Sequence, residues 1–185
     1  MISLAVLTPS VVSFLAWLTL FGQVIAVGVV VFLLTGRPAA LRARAVRWVL
    51  PAMLIVAIAA MAGSLYFSEI SGWVPCKLCW FQRIFLYPQA PLLLLALWKR
   101  DRGIASSILL LSAIGIVFSA VHYGEQVAAF LNPPDTLQPC DESGVSCAAA
   151  PFFHFGYITI PLMAFTASLL NGLGSLFLLR ERKRD

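Results

Sequence analysis

From Val11 to Leu34 the chain carries no charged side chain, and the same holds from Trp48 to about Ser68. A bilayer core is crossed by roughly 20 apolar residues in a helix, so either run is long enough to span it. Similar runs extend from Gly103 to about Val121 and from about Phe155 to Leu179, and a shorter one lies between Arg83 and Lys99. Helices are the reading for all five, because the runs are too long and too uniformly apolar for barrel strands. Composition agrees: 61% of residues are hydrophobic and 11% charged, against about 25% charged in soluble domains. That balance excludes a disordered chain, a nucleic-acid module and a disulfide-stapled mini-protein. The first run differs from a cleaved signal peptide, whose apolar core is about 7–15 residues behind a basic leader. Here the ten residues before Val11 are uncharged, and a retained span is expected.

Charge placement orients the spans. Arg37, Arg42, Arg44 and Arg47 follow the first run, Lys99, Arg100 and Arg102 the third, and Arg180, Arg182, Lys183 and Arg184 the fifth. If five spans alternate, these basic clusters share one face, which the positive-inside rule makes cytoplasmic. The N-terminus, the segment from Glu69 to Cys79 and the loop from about His122 to His154 then face outward. Glu69, Glu125, Asp135, Asp141 and Glu142 lie in or beside those outer segments. All four cysteines fall there too, in a compartment where disulfides persist.

Cys76-Lys77-Leu78-Cys79 is a C-x-x-C pair at the start of the short third run. Two sulfurs so close form a strained ring that opens and closes readily, and such motifs often lower a thiol pKa. A static disulfide is one alternative. Half of a zinc site completed by Cys140 and Cys147 is another, although zinc ribbons repeat the tight spacing in both halves and these two have six residues between them. The second pair sits among Pro133, Pro134, Pro139 and Gly144, a composition that predicts an irregular, mobile loop. An exposed disulfide there suits attack by another protein's thiolate; a loop staple is the plainer alternative. Two pairs facing one compartment suggest a relay, one pair meeting a protein and the other something in the membrane.

Ile84 to Trp98 is about 22 Å of helix. If that helix must cross, Cys79 and Arg83 are drawn toward the lipid boundary, and Pro88 and Pro91 are expected to kink it. A partly buried Arg83 needs a partner. The carbonyl oxygens of a lipid-soluble quinone would provide one; a snorkelling Arg that anchors the helix end is the alternative.

The run Pro75-Cys76-Lys77-Leu78-Cys79-Trp80-Phe81-Gln82-Arg83, followed by Tyr87-Pro88, resembles the DsbB/BdbC family of disulfide bond formation proteins, nearer the BdbC-like branch. The likeness extends from Trp48 to about Leu179, with four spans in the family's order, His122-Tyr123 ending the fourth run and Ile158-Thr159-Ile160-Pro161 opening the last. It implies an all-α integral membrane protein with a four-helix transmembrane bundle; the run from Val11 to Leu34 departs from the family's usual four spans as one extra N-terminal transmembrane helix. Residues 1–47 would hold that helix and a basic cytoplasmic loop. Residues 48–185 would form the redox domain, with the second cysteine pair in an outer loop at 122–156.

The implied activity is protein-disulfide:quinone oxidoreduction in the bacterial cytoplasmic membrane. The partner would be a DsbA-like thioredoxin-fold dithiol oxidase and the cofactor a quinone, ubiquinone or menaquinone, with no metal. By the same resemblance Cys140 and Cys147 exchange with the partner, and Cys76 and Cys79 pass electrons to quinone, Cys79 closest to it. Arg83 assists quinone binding and charge transfer, and His122 matches a position near the quinone. His154 has no match and reads as interfacial. Two rivals remain. Vitamin K epoxide reductase-like proteins run similar wiring backwards but place the C-x-x-C late in the bundle, the reverse of the order here. A non-enzymatic membrane subunit with structural disulfides is the other. Tyr123 to Leu131 is expected as a short helix on the membrane surface, and Phe152, Phe153 and Phe155 as interfacial residues.

Overall fold

The computed structural model describes residues 7–35, 38–134, 136–142 and 144–183. The charged residues Arg37, Asp135 and Arg184 lie outside that set. Six α-helices follow in order: α1 (Thr8–Leu34), α2 (Ala39–Leu65), α3 (Lys77–Leu86), α4 (Gln89–Lys99), α5 (Ala105–Leu131) and α6 (Ile160–Arg182). A single π-helical turn, Tyr66–Ile70, prolongs α2. There is no strand among the described residues, only an isolated bridge between His154 and Ile158. Among the described residues four helices are long and apolar enough to cross a membrane: Thr8–Leu34, Ala40–Ile70, Ala105–Leu131 and Ile160–Arg182. The chain is therefore an all-helical, multi-pass membrane protein.

The third run is two helices, not one. Pro88 lacks a backbone N–H and restricts Tyr87, so α3 ends at Leu86 and α4 starts at Gln89. The Gln89 side chain bridges the break: its Nε2 donates to the Phe85 carbonyl at 3.0 Å, while its Oε1 accepts from Asn171 of α6 at 2.8 Å. One buried amide thus joins α3, α4 and α6.

The surface helix expected over Tyr123–Leu131 is instead the last part of α5, which runs on to Leu131. Gly124 alone does not stop a helix, and the first prolines come only at Pro133 and Pro134. The connection that carries the second cysteine pair accordingly begins after Leu131.

Helix α6 is the hub, packing against α5, α1 and α2, while α3 packs on α5 and α4 on α2. Apolar burial drives helices together weakly in lipid, where close approach of small residues and interhelical hydrogen bonds matter more. The contacts follow that rule. A Cβ on Gly115 of α5 would meet Ser168 Oγ at 2.9 Å, one on Gly172 of α6 would meet Ser112 at 3.4 Å, and one on Gly174 would meet Met53 Sδ at 2.8 Å. At the basic end Val46, Leu50, Ala96, Ala105 and Phe177 share one apolar cluster. Arg42 pairs with Glu181 at 3.6 Å there, and Arg180 donates to the Leu33 carbonyl at 3.4 Å.

The N-terminal helix is built into the bundle. It buries Val12, Ala16, Thr19, Gly22 and Ala26 and leaves Phe14, Trp17, Phe21, Val24 and Val27 exposed, the pattern of a helix with one protein face and one lipid face. Leu15 closes onto Gly63 of α2, and Gly22 onto Thr166 and Leu170 of α6.

Candidate functional site

Cys76 is the N-cap of α3, and its sulfur accepts the Cys79 backbone N–H at 3.4 Å. The first turn of a helix leaves backbone N–H groups unpaired, so a thiolate here is met by donors and by the positive end of the helix dipole. Cys76 Sγ and Cys79 Sγ are hydrogen-bonded at 3.1 Å and not joined as a disulfide. On the other side His122 Nε2 lies 3.6 Å from Cys76 Sγ. The hydrogen bond from Cys79 holds the Cys76 thiol well below its ordinary range against the opposing effect of burial, and His122 adds to the lowering.

His122 is fully buried on α5 and its orientation is fixed by Gln82, whose Nε2 lies 3.0 Å from Nδ1. An amide nitrogen only donates, so Nδ1 accepts and the imidazole proton sits on Nε2, toward sulfur.

The second pair forms a disulfide, Cys140–Cys147. The segment before it is exposed, in keeping with an accessible loop, but the disulfide is not exposed throughout. Cys147 is only 3% exposed, while Cys140 is half-buried. The sulfurs of Cys76, Cys140 and Cys147 all lie within 4.8 Å of one another, so the loop folds its disulfide onto the C-x-x-C pair. Gln126 of α5 anchors this approach by donating to the Ala149 carbonyl at 3.1 Å.

Arg83 has the partner that its depth requires. Its Nε donates to Ser64 Oγ and its Nη2 to the Ser64 carbonyl, both at 3.0 Å. Tyr87 donates to the same hydroxyl at 3.0 Å, and the guanidinium carbon lies 5.2 Å and 5.8 Å from the Trp80 and Tyr87 ring centres. The cation is held in place by these contacts.

Cys76, Cys79, Arg83 and His122 all line one cavity of about 820 Å³ between α1, α2 and α6. Its cysteine end carries polar groups, among them Ser64, Gln82 and Gln126, whose Oε1 is buried without a partner. The rest is apolar. Above it Phe67 of the π-turn stacks on Trp73 at 5.0 Å, and both rings pack on Phe152. That places Phe152 in the site's roof; Phe153 packs on Phe130 and Phe155 on Trp17. The His154 ring stacks edge-on against Phe155, outside the cavity lining.

All six residues singled out in the sequence therefore converge: four sulfurs, one imidazole and one guanidinium. Sequence reasoning missed Ser64 and Gln126 and gave Gln82 no role. Gln82 stands inside the C-x-L-C-W-x-Q-R motif, whereas nothing adjacent in sequence marks Ser64. Among the described residues the donor groups close enough for a metal are Cys76 with Cys140 and Cys147, and Cys76 with Cys79 and His122. The first uses two sulfurs engaged in a disulfide, and the second offers three ligands where a closed structural zinc takes four.

The family described as "Disulfide bond formation protein DsbB" matches residues 46–178, a span that contains all six converging residues and none of α1. The chain is 41% identical over 128 residues to a probable disulfide formation protein C of Halalkalibacterium halodurans, covering 69% of this chain and 90% of that one. It is 43% identical over 117 residues to disulfide bond formation protein C of Bacillus subtilis, covering 63% and 81%. A probable disulfide formation protein of Metapseudomonas resinovorans is 31% identical over 128 residues, covering 69% and 86%. No solved structure matches the chain. With a helical membrane bundle, two cysteine pairs and these relatives, the chain belongs to the DsbB family of disulfide bond formation proteins.

Proposed function

We propose that this protein is a protein-disulfide:quinone oxidoreductase that reoxidises a DsbA-like thioredoxin-fold dithiol oxidase. The observation that carries the reading is the contact of three sulfurs, Cys76, Cys140 and Cys147, within 4.8 Å, beside a cavity that Cys79 and Arg83 share. A structural staple needs no second, unbonded pair against it.

The relay balances in two-electron steps. A partner thiolate attacks Cys140, the more accessible sulfur, and displaces the Cys147 thiolate. The partner's second thiol then releases the partner as a disulfide and leaves Cys140 and Cys147 reduced. Cys147, already beside Cys76, next attacks a Cys76–Cys79 disulfide and displaces Cys79. Cys140 attacks the Cys147 sulfur, restoring the loop disulfide and freeing Cys76 and Cys79 as thiols. Closing Cys76–Cys79 again releases two electrons and two protons, for which a quinone in the cavity supplies the acceptor. The cavity fits such a molecule: an apolar body, with Arg83 as donor at the cysteine end. Arg83 would hold a ring oxygen, and the Nε2 proton of His122 faces the Cys76 sulfur as the dithiol forms.

In this reading residues 48–185 form the redox body and 1–47 an addition to it. Helices α3 and α4 together make the fifth crossing, their joint carrying Gln89 to Asn171. The basic end is cytoplasmic and the cysteines face outward, where the partner oxidase works. Purified full-length protein, given reduced partner and a soluble quinone, should reduce the quinone, and Cys76→Ser or Cys79→Ser should abolish this. Quinone reduction surviving in either variant would sink the scheme. Wiring run in reverse, the direction of the vitamin K epoxide reductase-like alternative, would instead oxidise added hydroquinone to quinone and leave the partner as a dithiol.

A further inference from the structure

Helix α1 lies outside the matched span of residues 46–178. The Halalkalibacterium relative is matched over 90% of its length, which leaves it about a tenth, less than the 27 residues of α1. Yet α1 is a wall of the cavity. Leu15, Leu18, Thr19, Gly22 and Ile25 line it, a stretch of about 15 Å along the helix axis. On the facing side the lining of α2 runs from Ala52 to Ser68, about 24 Å. The cavity is thus a long cleft, reactive and polar at the cysteine end and apolar toward Ala52, Ile55 and Ile25.

Contacts at several depths seat α1 there. Thr8 Oγ1 lies 3.1 Å from Ser71 Oγ, and Tyr157 donates to Gln23 Oε1 at 2.9 Å. Trp17 packs edge-on against Phe155 at 5.0 Å. Leu15 meets Gly63, and Gly22 meets Leu170. Nearer the basic end α2 and α6 close on each other directly at Met53 and Gly174, which ends the cleft. Farther along, α1 packs on α6 and faces α2 across the cleft.

We infer that α1 forms a subsite for the isoprenoid tail of the quinone, so that this chain recognises the tail as well as the ring. The inference rests on the quinone reading above. A ring alone needs only the Arg83 end; the apolar length between α1 and α2 has the form of a tail site continuous with the reactive end. A membrane lipid chain lying in the same cleft is the competing occupant, and would gain nothing from being attached to a quinone ring.

The test is equilibrium binding to purified full-length protein, read by quenching of intrinsic tryptophan fluorescence. Two probes are compared: a quinone with a multi-unit isoprenoid tail and the same ring without one. Truncating two wall side chains in Leu18→Ala/Ile25→Ala should weaken the tailed probe about tenfold, from lost apolar contact, and leave the tailless probe unchanged. Leu18→Phe/Ile25→Phe, which fills the cleft and keeps apolar packing, should act in the same direction. Equal weakening of both probes, or no change in either, overturns the inference while the quinone reading stands. Failure of the wild-type protein to bind either probe overturns both. Irradiating a tailed quinone with a photoreactive terminus should label α1 peptides, and labelling confined to α3 and α5 would equally overturn the tail site.

Discussion

Gln82 Nε2 stands 3.0 Å from His122 Nδ1, and that one contact decides which face of the imidazole bears its proton. The proton on Nε2 points at Cys76 Sγ, 3.6 Å away. Replacing Gln82 by Leu leaves His122 free to take the other tautomer, with a lone pair facing the sulfur instead. The pH midpoint for Cys76 thiolate formation should then rise by about one unit, the worth of one hydrogen bond to a charged group. His122→Ala should move it in the same direction. Ultraviolet thiolate absorbance of the reduced protein in a Cys140→Ser/Cys147→Ser background measures it, and an unmoved midpoint in both variants would show that neither group reaches the sulfur.

The lowered Cys76 thiol makes stability depend on pH in the reduced protein only. Its folded value lies below its unfolded one, so the thiolate contributes stability that is full above the ordinary thiol range, about 8.5. That contribution fades as pH falls toward the folded value. The melting temperature of the protein with Cys76 and Cys79 reduced should therefore drop, on acidification from about pH 8.5, more than that of the protein with the Cys76–Cys79 disulfide. Parallel pH profiles for the two redox forms would contradict the assignment of the thiolate to Cys76.

Arg83 is held by two acceptors on Ser64 and flanked by two rings. Lys keeps the charge but cannot make the forked contact. Arg83→Lys should raise the quinone KM about tenfold through misplacement of the cation. Ser64→Ala, which removes one acceptor and keeps the carbonyl, should give a smaller rise. The partner's KM should not move in either variant, since Ser64 and Arg83 line the cavity and Cys140 does not; a rise in the partner's KM instead would place Arg83 in the docking surface.

What the sequence disclosed and what it hid divide along a physical line. The four long helices were legible because lipid demands uninterrupted apolar length, and the cysteine pairs because their spacing is local. Arg83 was legible as a cation in the wrong place. Its partner was not: Ser64 is 19 residues away on another helix, and a serine in an apolar run has no signature of what it faces. The same applies to Gln126 and to the bond from Asn171 to Gln89. Nor did apolar length show that α1 lines the cleft, since lipid-facing and cavity-facing residues are alike in kind. The end of α5 was misplaced because His122 and Glu125 read as the polar edge of a span, whereas His122 is buried within the bundle.

Asn171 and Gln89 test how polar contacts hold the broken third segment. Their bond is 2.8 Å long and buried. Asn171→Leu and Gln89→Leu should each lower thermal stability, and a double-mutant cycle should return a coupling of about 0.6–1.7 kcal/mol, the range of interhelical bonds in membranes. Additive losses would mean that α4 is positioned by apolar packing at Leu93 and Ala96 instead.

The disposition of the sulfurs sets a sharper condition. Cys147 is buried against Cys76 while Cys140 reaches the surface, so the two loop cysteines should have separate roles. Given oxidised partner, the Cys140 thiolate of a Cys147→Ser protein should attack the partner's disulfide and displace one partner thiol, and with Cys147 absent the mixed disulfide should accumulate. The Cys140→Ser protein should accumulate none. In a Cys79→Ser/Cys140→Ser protein the only thiols left are Cys76 and Cys147, whose sulfurs already lie within 4.8 Å; mild oxidation should join them, seen as a mass loss of one hydrogen pair and faster gel mobility after alkylation. Two alkylated thiols in that variant would mean that the loop does not rest on the C-x-x-C pair, and the relay would lose its central step.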